Sequence, residues 1–193
     1  TLPYVLKWFK ENPSNIDECL NGEFLHTQFM QNYQLILSEL AASEIISDDY
    51  IEKLWEFHKV QHSTQLFAFY LIFDSIAARL KVEHVEHLVK LCVNPNEINE
   101  PWINFMAKLG ATIGKRNDSK SSFILIRNAL IKIAFPQESK PATSQEQGEN
   151  DKQTLVNLAQ NALSQISQYY LTSEELHNLC EEFKQKCGDS ILF

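Results

Sequence analysis

The sequence predicts an all-α protein whose helices stack as neighbouring pairs. Three observations carry that expectation. Nearly every apolar segment repeats at helical spacing instead of alternating residue by residue. Five glycines and six prolines in 193 residues leave few break points, which favours long helices over many short strands. The apolar frame of Ile46, Ile51 and Leu54 returns 34 residues later as Leu80, Val85 and Leu88, and again as Leu171, Leu176 and Leu179. A helical unit that recurs at this length points to an armadillo/HEAT-like α-solenoid of stacked helix pairs.

Taken in order, Leu2, Val5, Leu6 and Phe9 trace one face of a first helix with Pro3 in its opening turn. Asn12-Pro13-Ser14 stops it, and Ser14 or Asn15 caps a short second helix ending at Asn21-Gly22. Phe24 to Ala42 is a long amphipathic helix carrying Leu25, Phe29, Tyr33, Ile36, Leu37 and Leu40. Ser47 caps the next, which runs to about Lys59. Its hydroxyl can accept from a free backbone N–H, while Asp48 and Asp49 face the positive end of the helix dipole. Ile46 and Ile51 have the spacing of a hydrophobic staple. Gln65 to Leu80 is apolar on almost every side, Leu71 and Phe73 included, and is expected to be a buried inner helix.

Glu83 to Cys92 forms the following outer helix, broken by Asn94-Pro95. Asn99 or Glu100 starts another, with Pro101 in its first turn and Trp102, Phe105, Met106 and Leu109 on its face. Gly110 and Gly114 are expected to loosen its end. Phe123-Ile124-Leu125-Ile126 could be a strand by β-branching alone, but Ala129, Leu130, Ile133 and Ala134 continue it at helical spacing. The polar stretch 136–150 cannot bury enough to offset its ordering entropy and is expected to be a mobile loop. Asp151 then caps a long helix to about Tyr170, and the capping box of Thr172 and Glu175 opens a last one. Residues 1–193 are thus expected to form a single helical-repeat domain or a fragment of a solenoid. Thr1 at the start and the apolar Phe193 at the end point to a piece of a longer protein.

Composition narrows the function classes. A net charge of −8 argues against broad binding to nucleic acid or anionic membranes. No apolar run of about 18 residues is present, so no membrane span is expected. Cys19, Cys92, Cys180 and Cys187 lack CxxC spacing and lie in helical patterns, which fits reduced, inert thiols in the cytosol or nucleus. His58 with His62, and His84 with His87, could each share a helix face, but the sequence matches neither HExxH nor HxxEH. All four are expected to be solvated outer-helix residues. Gly110-Ala111-Thr112-Ile113-Gly114-Lys115 falls short of a phosphate loop: the glycines are one residue too close, Arg116 stands where Ser or Thr is needed, and no strand precedes it. Trp8, Trp55 and Trp102 are read as core or helix-seam residues. No catalytic, cofactor or metal motif is found.

One charge feature stands out. Between Pro101 and Phe135, Lys108, Lys115, Arg116, Lys120, Arg127 and Lys132 face only Asp118, a local charge of +5. Lys115, Arg116 and Lys120 fall in the polar turn between two apolar helices. They are the candidate partner-binding residues, for an acidic segment of another protein.

Trp8, His26, Gln34, Ile36-Leu37, Ala41-Ala42, Ile46-Ser47, Ile51, Leu54-Trp55, Ile76-Ala77, Leu80 and His87-Leu88 carry a further pattern. Over about the first 90 residues it resembles the helical-repeat regions upstream of the catalytic domain in giant fat-facets-type ubiquitin-specific proteases. That family's cysteine and histidine boxes are not recognisable here, so no catalytic residue carries over. The resemblance implies a non-catalytic scaffold that positions substrates or regulators within a deubiquitinase. The alternatives are a helical adaptor of translation or mRNA-decay type, or an enzyme with an unrecognised site.

Overall fold

The computed structural model describes residues 2–12, 27–59, 63–95, 97–136 and 146–169, and among these every regular element is an α-helix. They are α1 (Leu2–Glu11), α2 (Thr27–Ala42), α3 (Asp48–Lys59), α4 (Ser63–Ala77), α5 (Val82–Cys92), α6 (Glu100–Gly114), α7 (Lys120–Ala134) and α8 (Glu146–Ile166). The short helix expected before Gly22 lies outside the described residues. So do the Leu171 frame and its capping box. The chain is all-α, and Phe123 to Ile126 are helical as the continuing periodicity predicted.

Two layers organise the helices. In one, α2 packs on α4, α4 on α6 and α6 on α8. In the other, α3 packs on α5 and α5 on α7, while α8 also lies against α7. α1 packs on α2. Polar contacts tie neighbours within each layer at nearly constant sequence separation. Gln34 Nε2 donates to Ser75 Oγ at 2.5 Å across 41 residues. Thr112 Oγ1 donates to Asp74 across 38, and Arg116 to the Ala77 carbonyl across 39. In the second layer the separations are 36 for His84 to Asp48 and 35 for Ser121 to Glu86. Contacts that advance together along both partners mean that neighbours within a layer run parallel.

The core follows from the apolar frame. Ile46, Ile51, Leu54, Leu80, Val85 and Leu88 are all buried, so the 34-residue return marks equivalent inward positions. The helix starts are built as their caps require. Ser47 Oγ accepts from the Tyr50 N–H at 3.3 Å, and Asn99 Oδ1 from the Trp102 N–H at 3.0 Å. α2 ends differently: Glu44 has φ 59°, and the Glu44 and Ile45 N–H groups reach back to the carbonyls of Ala41 and Leu40. This is a Schellman closure with glutamate at the left-handed position where glycine is usual.

Several expectations need correction. α4 is not buried all round: Phe69, Ile72, Phe73 and Ile76 are fully enclosed, but Phe67 is 65% exposed and Leu71 only half-buried. Both lie on the side where α4 and α6 leave a groove. Trp55 and Trp102 are core residues, whereas Trp8 is 49% exposed on α1. α8 begins at Glu146 instead of Asp151. Residues 137–145 of the expected loop lie outside the described residues.

Gly110 and Gly114 do not loosen the end of α6. They sit where α8 approaches closely. A Cβ on Gly110 would fall 3.0 Å from Ile166 Cγ2, and one on Gly114 would fall 2.6 Å from Tyr169 Cβ.

Candidate interaction surface

Of the three basic residues singled out by charge, two are exposed and one is not. Lys115 is the exposed C-cap of α6, and Lys120 is exposed at the first turn of α7. Arg116 turns inward, its side chain only 15% exposed. Its Nη1 donates to the Ala77 carbonyl at 2.9 Å, while Nε and Nη2 each donate to the Asp118 carboxylate at 3.0 Å. Those bonds, joined by one from Ser119 Oγ, hold the Asp118 carboxyl down to about 2. Arg116 thus fastens the α6–α7 turn to the end of α4. Lys108 is also engaged, with Nζ 3.3 Å from Asp74 Oδ2.

Of the four histidines expected in solvent, the three among the described residues are buried or half-buried. His58 is buried, continuing the inward face of Ile51, Leu54 and Trp55 by one turn. That spacing could have found it. Its Nδ1 donates to the Trp55 carbonyl, and its ring packs against Trp55, Tyr70 and the edge of Phe73. Burial pushes its pKa below the ordinary value of 6.5. The aromatic contacts continue from α4 to α6, where Tyr70 stacks on Phe105 with centroids 4.4 Å apart. Burial raises the Tyr70 phenol to about 12.

His84 and His87 are half-buried on α5, each beside an acid on α3. His84 Nδ1 lies 2.7 Å from Asp48 Oδ1, and His87 Nε2 lies 3.0 Å from Glu52 Oε1. Lys81 adds a third rung, 2.8 Å from Glu44. His62 lies outside the described residues. Cys92 is buried, and burial raises its thiol pKa well above the ordinary value, as an inert packing role requires. The other three cysteines lie outside the described residues. No group of three His, Cys, Asp or Glu side chains among the described residues could hold a metal ion. No helix among them is long and apolar enough to cross a membrane.

Two clefts open between neighbours within the layers. One, of about 410 Å³, lies between α4 and α6 and is lined by Phe67, Leu71 and Phe105. Its rim carries Glu100 and Lys108. The other, of about 440 Å³, lies between the ends of α5 and α7. Lys90 and Lys132 stand on its two walls, and Ile98, Trp102, Leu125 and Ile133 supply apolar lining. Neither cleft was foreseen, because each is made by helices that meet about 35 residues apart in sequence.

Among curated proteins, the chain is similar to ubiquitin carboxyl-terminal hydrolase puf of Drosophila melanogaster, with 25% identity over 129 residues. The matched stretch is 66% of this chain and spans about 3% of that relative's length. No family model matches the chain, and no solved structure matches it.

Proposed function

We propose that this chain is a non-catalytic protein-interaction scaffold, an armadillo/HEAT-like solenoid segment of a large ubiquitin-specific protease. It would position substrates or regulators for a catalytic domain elsewhere in the same polypeptide. The observation that carries this reading is the 129-residue likeness to a ubiquitin carboxyl-terminal hydrolase of which this chain spans only 3%. The repeated packing supports it physically. Cross-helix bonds at separations of 35, 36, 38, 39 and 41 residues are what a stack of similar helix pairs produces. Such a stack exposes helix edges in register, and those edges suit extended protein partners.

The test is to sequence the transcript outward from this stretch. A reading frame that continues into a cysteine box and a histidine box supports the proposal. A frame that carries neither box leaves the chain in a different system and contradicts it.

A further inference from the structure

The α5–α7 cleft joins two properties that together define a ligand. Its lining is mostly apolar, with Ile98 45% exposed beside Leu125, Ile133 and the edge of Trp102. The indole of Trp102 is fixed there by its Nε1 bond to the Cys92 carbonyl at 2.9 Å, so this wall is rigid. The charged groups among the described lining are Lys90 and Lys132, one on each helix, and no carboxylate joins them. That is a local reversal of sign in a chain of net charge −8. The nearest acid to Lys90 is Glu86 on its own helix, 3.9 Å away and also accepting from Ser121 Oγ. Lys90 remains 63% exposed.

We propose that this cleft docks a short acidic segment of a partner protein. One bulky apolar side chain seats against Ile98, Leu125 and Ile133, and flanking carboxylates meet Lys90 and Lys132. Apolar area supplies the attraction, while the two cations fix which sequence is taken and speed its approach. The α4–α6 cleft lacks that selectivity. Its rim carries both signs, and its lysine already lies 3.3 Å from Asp74. The proposal rests on the scaffold reading of this chain, and its test does not depend on a ubiquitin-protease parent.

The probe is a phage-displayed library of random 12-residue peptides selected on the purified 193-residue chain. Enriched peptides are then synthesised with a fluorescent label and titrated by anisotropy. Enrichment of Asp or Glu flanking Leu, Ile or Phe is expected, with a Kd that weakens as salt rises. The double variant Lys90→Glu/Lys132→Glu should weaken binding at least ten-fold, and Ile98→Ala should weaken it several-fold. Lys10→Glu, a charge reversal at an exposed position on α1, should leave the Kd unchanged, and circular dichroism should show all variants folded. Several outcomes would overturn the proposal: no enriched peptide, enrichment without acidic residues, or equal losses from Lys10→Glu and the double variant. Self-association of the chain that the double variant abolishes would also overturn it, by making the occupant a second copy. Capture of ubiquitin-pathway proteins by the double variant would separate failure of this cleft from failure of the scaffold reading.

Discussion

Arg116 Nη1 and the carbonyl oxygen of Ala77 are hydrogen-bonded at 2.9 Å across 39 residues of chain. The bond ties the turn after α6 to the last residue of α4, one neighbour back in the same layer. Its partner bonds to Asp118 keep the guanidinium from swinging out. A residue that looks like surface charge in the sequence is therefore a fastening between two neighbouring helices.

Arg116→Ala should cost roughly 1.5–3 kcal/mol, because a charge-assisted bond is lost and the Ala77 carbonyl loses this donor. Lys115→Ala, one residue away and exposed, should change stability by no more than about 0.5 kcal/mol. Urea melts of both variants check the contrast. Equal stabilities would mean that Arg116 fastens nothing.

Gly114→Ala places a Cβ 2.6 Å from Tyr169 Cβ, which sits too close to its own backbone to swing aside. The cost of overpacking is typically about 1–3 kcal/mol, set against a helix-propensity gain of up to about 1 kcal/mol. A net loss is expected. Gly110→Ala meets the Cγ2 methyls of Ile166 at 3.0 Å and Ile126 at 3.3 Å, contacts that a shift of a few tenths of an ångström relieves. It should be close to neutral. Thermal melts that ranked Gly110→Ala as the more damaging would contradict the closer approach of Tyr169 to Gly114.

How much of this could be read beforehand depends on the range of each interaction. The cap at Ser47 was legible, and the start near Asn99 was narrowed to two residues, because a cap is made within three residues of chain. The Ile46 and Leu80 frames were legible because burial repeats with the helix period. Arg116, Gly114 and the two clefts were not, since each takes its role from a helix distant in sequence. Glu44 gave no local sign either: its left-handed turn stands where the sequence lacks a glycine. His58 was within reach, being one helical turn beyond Leu54 and Trp55.

Phe73→Ala should destabilise by roughly 3–5 kcal/mol, since the ring is fully enclosed between Trp55, His58 and Phe105. Leu71→Ala should cost no more than about 2 kcal/mol, because that side chain lines the open α4–α6 groove. Denaturant melts giving equal losses would show that the groove is closed in solution.

His58 makes stability depend on pH. It is held neutral by burial, so its folded pKa lies below 6.5, and the unfolded chain binds the proton more readily. Its contribution is therefore fully present above about 6.5 and declines as the pH falls below that value. His58→Phe removes the titrating group and should flatten this part of the profile between pH 7 and 5. Unfolding midpoints for the two proteins that fall in parallel over that range would place the proton elsewhere.

The central claim is that this stretch positions protein substrates for a ubiquitin protease without taking part in the chemistry. The most direct measurement compares the complete polypeptide with a version lacking these 193 residues on two substrates. A fluorogenic ubiquitin derivative reports the chemistry alone, and a ubiquitin-conjugated protein captured by this chain reports positioning. The account predicts an unchanged rate on the first and a loss of ten-fold or more on the second. Equal losses on both substrates, or none on either, would contradict it.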